Sequence, residues 1–487
     1  MASEIRVNKI ENRSGLGTVT FADTGVDLAG IVTATTFSGS GASLTGLPAA
    51  SLTGTVADAR FPATLPATSA ANLTNVPAAN VVGVHTSLTV TNATTTGTAV
   101  VGGGVTISES GIEASGIGIT CANINGTQIG GRRNLVINGD MNVAQRGTSR
   151  SATTQGSSFA TVDRFQLQWN NFGVQATETQ GDMGTSDTPY TLGFRKYHRI
   201  TLASAGTAAA GTYIEYKYSF EAQDLANSGW NYTSPSSFVT FSFWFRCSTN
   251  QTFYTTFRTK DGTEQGYAFS FTATGNNEWT KVVHTIPGNS NLQFDNDNGS
   301  GMIFYIFPAN GTNYTNNSQS LNAWGTFAGS SYCPDMATTW LTAGASTFDL
   351  TGVQLEVGPQ ATAFEHRSFG EEKRLCMRYY QSHTNILTSG YVPDNGSRVY
   401  SLGFNFPVEM RAAPTLSLEN TGSTSGQSIV DSQIGHNITT LLSSNTSTTC
   451  ADYSLNLDGD LTDFRPAVAE HASSTTRRTE YKFNAEI

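Results

Sequence analysis

The stretch of sequence that decides the fold is GVQLEVGPQATAFEHRSFGEEKRLCMRYYQ, residues 352–381. It begins with alternating apolar and polar residues, the period-two pattern of a strand with one face in a core. Three side chains are expected to point inward and two outward: Val353, Leu355 and Val357 inward, Gln354 and Glu356 outward. Gly358 and Pro359 end the strand, because proline has no N–H to donate to a ladder. The stretch therefore begins with the expected last strand of a β-sandwich.

A short helix is expected after that strand. Ser368 followed by Glu371 has the spacing of a capping box, so the helix should begin near Phe369 and cover about residues 369–381. Its apolar residues at i and i+4 form one stripe: Leu375, Cys376, Tyr379 and Tyr380. The stripe is compatible with two roles. In the first role the stripe packs against the same helix of two other protomers near a threefold axis. In the second it covers an open end of its own sandwich.

Strand patterns fill the region before this stretch. In TYIEYKYSF (212–220) and FVTFSFWFR (238–246), every second residue is apolar and shares one face. These inward-facing residues are Ile214, Tyr216, Tyr218 and Phe220 in the first segment, and Val239, Phe241, Phe243 and Phe245 in the second. Further short candidates follow between Asn- and Gly-rich turns. Residues 133–381 are therefore expected to form an antiparallel sandwich or jelly roll closed by the helix.

The composition supports a mainly β protein and excludes several classes of function. Charged residues make up 13% of the 487, against about 25% in an ordinary soluble protein. The net charge of −10 and the absence of a basic cluster argue against a nucleic-acid partner. No apolar run is long enough for membrane insertion, and the N-terminus lacks a secretory signal, so we expect synthesis and folding in a cytoplasm. The five cysteines, Cys121, Cys247, Cys333, Cys376 and Cys450, are expected to be buried, reduced thiols.

The N-terminal third is nearly free of aromatic residues. Residues 1–37 contain short strand candidates and are expected to form a docking segment, and residues 38–132 a repetitive Gly-, Thr- and Ala-rich β shaft. SLTGLPAASLTG (43–54) and NLTNVPAANVVG (72–83) repeat at an offset of 29 residues. Their apolar residues are expected to pack against other copies of the chain: Leu44, Leu47, Leu52, Leu73 and Val76. A disordered linker is the alternative.

Residues 382–487 are long enough to form one small β domain. Sugar sites combine aromatic faces with amides and carboxylates. The candidate residues for such a site are Tyr391, Tyr400, Asp452, Tyr453, Asp458 and Asp460, although each tyrosine is equally compatible with a place in the core.

Sequence signals for catalysis and metal binding are weak. The aspartates of ADYSLNLDGDLTDF (451–464) are candidates for hydrolysis of a glycosidic bond, but Asp-Gly-Asp is also an ordinary hairpin signal. DNDNGSG (295–301) resembles the start of an EF-hand loop, but Ile306 stands where a bidentate glutamate is required, which leaves at most a looser Ca²⁺ site. His366 is expected to hydrogen-bond near the helix start. We expect no enzyme activity, no cofactor and no resident metal.

Four phrases of the sequence resemble bacteriophage tail-fibre and receptor-binding proteins, particularly those of marine cyanobacterial phages. RNLVINGDMNVAQRGTS (133–149) resembles the opening of a tail-fibre sandwich domain, and residues 352–381 resemble its close. FPVEMRAAPT (406–415) resembles the start of the next module, and residues 33–56 resemble a virion-protein shaft. The resemblance implies a homotrimeric virion fibre that docks to tail or baseplate proteins through its N-terminus. It also implies that residues 382–487 are the distal receptor-binding domain, which meets a host-surface glycan or protein, and that the chain is synthesised in the cytoplasm of the bacterial host.

The function expected from this resemblance is attachment of the virion to its host by multivalent adhesion. Two alternatives remain open. The first is a fibre that cleaves envelope polysaccharide, and the second is a purely structural head fibre or tail connector that never contacts the host.

Overall fold

The computed structural model describes residues 132–384 without a break, most of residues 386–487, and short pieces of residues 9–45 and 123–128. The chain divides into two compact units, Met1–Ile112 and Glu113–Ile487. The five apolar residues expected to pack the shaft lie outside the described residues: Leu44, Leu47, Leu52, Leu73 and Val76. Cys121 also lies outside them.

The first unit contains a three-stranded antiparallel sheet. Its strands, in sheet order, are β1 (Lys9–Glu11), β2 (Thr18–Ala22) and β3 (Gly25–Ala29). The register sets Ile10 opposite Val19, and Val19 opposite Leu28, so apolar residues cross the sheet on one face. Ile10 and Leu28 are exposed.

The second unit begins with a small hairpin, β4 (Asn123–Ile124) and β5 (Thr127–Gln128), and continues as a β-sandwich of two antiparallel sheets. The six-stranded sheet has the order β15 (Thr280–Pro287), β12 (Phe238–Cys247), β18 (Thr347–Val357), β10 (Lys196–Leu202), β9 (Ala176–Asp182), β6 (Ser149–Thr153). The seven-stranded sheet has the order β17 (Trp324–Thr326), β14 (Gln265–Thr274), β13 (Asn250–Thr259), β16 (Ser300–Asn310), β11 (Tyr213–Glu221), β8 (Gln166–Asn170), β7 (Gly156–Ser158).

Four short helices occur among the described residues: α1 (Thr188–Thr191), α2 (Ala222–Ala226), α3 (Thr339–Thr342) and α4 (Phe369–Met377). None of them has the length and apolar character needed to cross a membrane. The expectation of a mainly β protein built from antiparallel sheets, with few helices, is confirmed for the described part of the chain.

The core of the sandwich lies between the two sheets and is largely aromatic. Phe304 on β16 is fully buried, and its ring centroid lies 4.9 Å from that of Phe241 on β12 in the opposite sheet. Within its own sheet the Phe304 ring stacks on Tyr218 at 5.4 Å. The inward-facing residues predicted from the period-two pattern of β11 and β12 all belong to this core. The alternation therefore located the buried face of both strands correctly.

The outer face of β18 differs from the prediction. Gln354 and Glu356 do lie on the face opposite Val353 and Leu355, but both are fully buried instead of solvent-exposed. The reason is that residues 359–367 fold back over this face: the Thr362 N–H donates to Glu356 at 2.8 Å and the Glu365 N–H donates to Gln354 at 2.9 Å. We call residues 359–367 the covering segment.

The sequence phrases that open and close the sandwich meet in space. The Asn134 side chain donates to the Val353 carbonyl oxygen at 3.2 Å and accepts from the Leu355 N–H at 3.1 Å. The N–H of Asn138 donates to the carboxylate of Glu372 on α4. Asn134 and Asn138 are both buried, so each hydrogen bond satisfies a group that water does not reach.

Helix α4 begins at the expected residue, with the Ser368 hydroxyl accepting from the Glu371 N–H at 3.2 Å. It ends at Met377, four residues before the predicted end, because Tyr380 begins the next strand. Cys376 and Tyr379 are buried against Ile137 and Val143 of the same chain, with Leu375 packed partly against them. In this chain the apolar stripe therefore contacts the sandwich to which the helix belongs.

The C-terminal part forms a barrel and a three-stranded sheet. The closed barrel has the order β20 (Ser389–Tyr391), β21 (Arg398–Asn405), β25 (Cys450–Leu457), β24 (Ile434–Thr446), β23 (Ser428–Asp431), β26 (Pro466–Glu470). The sheet has the order β19 (Tyr380–Thr384), β27 (Arg478–Asn484), β22 (Thr415–Thr421). The boundary predicted between residues 381 and 382 falls inside β19.

The cysteine prediction needs one correction. Cys247, Cys333 and Cys376 are buried free thiols, but Cys450 is exposed. Cys450 begins β25 directly after a turn in which its backbone N–H donates to the Ser447 hydroxyl at 3.0 Å. This turn position leaves the thiol at the surface.

Candidate functional site

The predicted receptor residue Tyr453 is buried in the core of the C-terminal barrel. Its side chain is 1% exposed, and its ring centroid lies 5.5 Å from that of Tyr481 on β27. The reason is the alternation along β25, which places Tyr453 on the same inward face as Leu455 and Leu457. The expectation that Tyr453 presents its ring to a receptor is wrong.

Two other predicted residues do come together at the barrel surface. Tyr391 on β20 and Tyr400 on β21 are register partners, and their ring centroids lie 6.2 Å apart. Tyr391 is 50% exposed and Tyr400 is half-buried. They form an aromatic pair on the outside of the barrel.

The aspartates of the C-terminal part do not form a catalytic pair with one another in any described contact. Asp458 accepts two hydrogen bonds from Asn437, at 2.8 Å from the backbone N–H and 2.6 Å from the side-chain amide. Slight desolvation raises the pKa of Asp458, but the hydrogen bonds from Asn437 outweigh it and the pKa is lowered overall. Asp452 and Asp460 are exposed. Within the part of the chain that the structure describes, no group of three or more His, Cys, Asp or Glu side chains is arranged to hold a metal ion.

A groove of about 470 Å³ lies on the outer face of the six-stranded sheet. Its floor is formed by Ser242 and Trp244 of β12 and Gly352 of β18, and one wall is the covering segment. The opposite wall follows α1 and contains Leu192 and Phe194. The remaining lining residues are Lys281, Ala361, Thr362, Ala363, Phe364 and His366. We call this cavity the aromatic groove.

The aromatic side chains of the groove have room because β18 carries a glycine bulge. The register of β12 and β18 shifts between Ser242 and Trp244, which leaves Gly352 in the left-handed conformation with φ of +62°. A Cβ atom at Gly352 would lie 2.9 Å from the Phe194 ring and 3.0 Å from the Trp244 ring. Both rings therefore rest directly on the glycine backbone.

Three rings connect the two walls of the groove, and of these Phe194 is buried, with 2% exposure, whereas Phe364 is half-buried and His366 is exposed. The centroids of Phe194 and Phe364 lie 4.9 Å apart in an edge-to-face contact, and His366 lies 5.1 Å from Phe194 and 4.9 Å from Phe364. The covering segment carries Phe364 and His366 into place, since Thr362 and Glu365 anchor it on either side. The wall thus depends on the buried Gln354 and Glu356 beneath it.

The His366 ring has a defined tautomer. Its Nε2 lies 2.8 Å from the Leu192 carbonyl oxygen, which can only accept, so Nε2 carries the hydrogen. Gly193, with φ of +100°, allows this approach because a Cβ atom there would lie 2.9 Å from Nε2. His366 therefore bonds the loop after α1 instead of the start of α4, where the sequence had placed its partner.

Next to Trp244, the outer face of the six-stranded sheet carries a cluster of paired charged side chains. Asp349 is fully buried and accepts from Arg199 at 2.6 Å and from Arg246 at 2.8 Å. The hydrogen bond with Asp349 raises the pKa of Arg199. The guanidinium carbon of Arg246 lies 4.7 Å from the ring centroid of Trp279. These contacts pair the charges at the end of the sheet next to the groove.

The aromatic groove was missed in the sequence, although one signal for it was present. In FVTFSFWFR the outward face carries Ser242, Trp244 and Arg246, and a tryptophan on an otherwise polar face is a recognised mark of a binding surface. The residues that complete the groove come from the loop after α1 and from the covering segment. Nothing local in the sequence predicts that these loops meet.

Comparisons with known proteins give no family assignment. No family model matches the sequence, and no curated protein matches it. The enzymatically active domain of tailspike protein 4 from bacteriophage CBA120 is similar in structure at 10% identity with a TM-score of 0.25, covering 46% of this chain and 21% of the tailspike chain.

Two structures described as sugar-binding match with similarly low identity and TM-score. The module TmCBM61, solved with β-1,4-galactotriose, has 9% identity and a TM-score of 0.21, covering 47% of this chain and 100% of that one. A putative sugar-binding protein from Bacteroides thetaiotaomicron has 7% identity and a TM-score of 0.21, covering 46% and 99%. The present chain spans about a fifth of the tailspike chain, and TM-scores this low do not establish a shared overall fold.

Proposed function

We propose that this chain is the subunit of a phage tail fibre that attaches the virion to its host by binding a surface glycan in the aromatic groove. The observation that carries the proposal is the groove itself: an open cavity of about 470 Å³ with the Trp244 indole on its floor and the rings of Phe364 and His366 on one wall. Aromatic faces cover the apolar side of a sugar ring, and polar groups such as the Ser242 hydroxyl and the His366 imidazole hydrogen-bond its hydroxyls.

The assignment to a tail fibre is supported by the sequence phrases that open and close the sandwich. Asn134 of the opening phrase is hydrogen-bonded to Val353 and Leu355 of the closing phrase, so the two phrases form a single buried junction. We propose that three chains assemble into the fibre and that the N-terminal unit binds other virion proteins of the tail or baseplate. A native mass of three times the 51.7 kDa subunit in light scattering is the expected result, and a monomeric mass would contradict the trimer.

We propose binding without cleavage of the glycan. Hydrolysis of a glycosidic bond requires a pair of carboxyl groups on either side of it. The residues that line the aromatic groove include no aspartate and no glutamate, which supports a binding role for this cavity.

The test compares two substitutions in the full-length protein on an array of bacterial surface polysaccharides. Trp244→Ala removes the indole from the groove, and Tyr391→Ala removes the exposed aromatic ring of the barrel as the matched control. We expect Trp244→Ala to weaken binding by at least about tenfold, the loss typical of a central aromatic anchor, and Tyr391→Ala to leave it unchanged. Near-UV circular dichroism checks that both variants are folded.

The opposite result moves the receptor site to the barrel. If Tyr391→Ala abolishes binding and Trp244→Ala does not, the C-terminal part is the adhesive surface and the aromatic groove has another role. Sugar release from any bound polysaccharide by the unaltered protein would replace adhesion with cleavage.

A further inference from the structure

We infer that the ligand of the aromatic groove is an acidic saccharide, which carries a carboxylate or sulfate group next to the sugar ring that packs on Trp244. This inference rests on the proposed glycan binding and names the chemical class of the ligand. Its basis is the distribution of charge in and around the groove.

The charge of the groove lining is opposite in sign to that of the protein. The chain has a formal net charge of −10, with 37 acidic residues against 27 lysines and arginines. The only charged or titratable side chains of the lining are Lys281 and His366. An anionic ligand that approaches most of this protein is repelled, but within the groove it meets no carboxylate.

Two carboxylates on the outer face of the same sheet, Asp349 and Glu356, already have partners. Asp349 binds both Arg199 and Arg246, at 2.6 and 2.8 Å. Glu356 lies beneath the covering segment, where the Thr362 hydroxyl donates to it at 2.6 Å and Arg133 lies 3.8 Å away.

Glu365, on the covering segment, is paired as well. It accepts from the N–H groups of Arg133 and Asn134, at 3.1 and 2.8 Å, and from the Arg367 guanidinium at 2.7 Å. Burial raises the pKa of Glu365, but these donors outweigh it and the pKa is lowered overall. The carboxylate is thus ionised and directed away from the groove, toward its donors in the opening phrase.

Lys281 is the cation that remains for a ligand. It is exposed, and within the part of the chain that the structure describes it forms no ion pair. Lys281 on β15 is the register partner of Trp244 on β12, so the ammonium group and the indole belong to adjacent positions on the same face of the sheet. A sugar ring packed on Trp244 therefore places its substituents within reach of a free positive charge.

The experiment uses the full-length protein and matched pairs of polysaccharides that differ only in charge. Uronate-containing polysaccharides are compared with their carboxyl-reduced forms, and sulfated ones with their desulfated forms. Lys281→Gln removes the charge from the groove, and Lys373→Gln on α4 removes the same charge from an exposed position elsewhere. Binding is measured by isothermal titration calorimetry at low and high salt.

We expect at least one acidic polysaccharide to bind about fivefold more tightly than its neutral counterpart at low salt, the factor that corresponds to about 1 kcal/mol for an exposed ion pair. High salt and Lys281→Gln should each reduce this ratio to near one, because both remove the charge interaction. Lys373→Gln should leave the ratio unchanged.

Three outcomes overturn the inference, and they separate it from the proposed function. Equal binding of acidic and neutral forms, with loss of both in Trp244→Ala, leaves glycan binding in place and rejects the acidic ligand. A preference for the acidic form that survives Lys281→Gln rejects the groove as its source. Failure of every polysaccharide to bind rejects the proposed function and the inference together.

Discussion

The buried ion pair between Arg164 and Glu486 connects the sandwich to the segment after β27. The side chains are 1% and 3% exposed. The Arg164 guanidinium donates one hydrogen bond to the Glu486 carboxylate and another to the Ser219 carbonyl oxygen at 2.7 Å, and it lies 3.4 Å from the ring centroid of Tyr379. Arg146 also donates to Glu486, at 3.3 Å. The Glu486 carboxylate therefore contacts two guanidinium groups inside the protein.

Replacing Glu486 with glutamine removes this negative charge and leaves the Arg164 cation buried. Loss of one partner from a buried ion pair costs about 3–5 kcal/mol, because the remaining charge is neither solvated nor paired. The glutamine oxygen still accepts one hydrogen bond, and Arg146 keeps Asp163 at 3.7 Å, so we expect the lower end of that range, about 3 kcal/mol.

Tryptophan fluorescence measures this effect on the sandwich alone. All six tryptophans lie between residues 133 and 381: Trp169, Trp230, Trp244, Trp279, Trp324 and Trp340. Urea titration followed by their emission should show a free energy of unfolding about 3 kcal/mol lower for Glu486→Gln than for the unaltered protein. The control is Glu419→Gln, since Glu419 pairs with Lys482 at the surface and is 57% exposed, and this change should cost less than about 1 kcal/mol.

Two results would refute this account of the buried pair. A loss below about 1 kcal/mol for Glu486→Gln would mean that Arg164 finds water or another partner, as surface cations do. An equal loss for the double variant Arg164→Met/Glu486→Gln would also count against it, because removing the orphaned cation should recover part of the stability.

Two further predictions concern the groove and the same buried network. Gly352→Ala should lower the free energy of unfolding by about 1–3 kcal/mol in urea titration and should also weaken polysaccharide binding. The reason is that φ at this residue is +62° and the new methyl group displaces Phe194 and Trp244. Unchanged values for both quantities would contradict the packing described for the groove. Burial raises the pKa of Asp163 to about 6 from an ordinary 3.8, so the folded state favours the protonated carboxyl. The protonated carboxyl therefore stabilises the fold fully below pH 4, and this stabilisation is lost as the pH rises through 6. Urea titrations from pH 4 to pH 7 should therefore show a decline that is absent in Asp163→Asn, and parallel pH profiles would exclude Asp163 as the cause.

The elements that the sequence predicted are those governed by local pattern. The period-two alternation in β11 and β12 identified the core residues because a strand alternates its faces whatever surrounds it. The capping box placed the start of α4 at Phe369 for the same reason, since Ser368 and Glu371 lie within one turn.

For Tyr453, the prediction from its acidic neighbours was wrong, whereas the alternation of residues along the strand predicts its position correctly. Its acidic neighbours suggested a sugar site, but Ala451, Tyr453, Leu455 and Leu457 alternate along β25 and predict burial of the tyrosine. Consistent use of the period-two rule would have assigned this residue to the core.

The aromatic groove and the burial of Gln354 depend on contacts between distant segments. The covering segment is held by buried side chains of β18. The opposite wall comes from the loop after α1, where Leu192 precedes its hydrogen-bond partner His366 by 174 residues. Local patterns contain no information about which loop folds over which face of a sheet, so neither feature was predictable from one sequence.

The separation of Arg164 and Glu486 by 322 positions has a consequence for synthesis of the protein on the ribosome. The last strand of the sandwich ends at Val357, so all of its strands are made before residue 486. At translation rates of about 5–20 residues per second, the segment from residue 358 to residue 486 takes roughly 6 to 26 s to be synthesised. We therefore expect the nascent sandwich to lack the Arg164–Glu486 ion pair during that interval, and its resistance to proteolysis to increase once residue 486 has been translated.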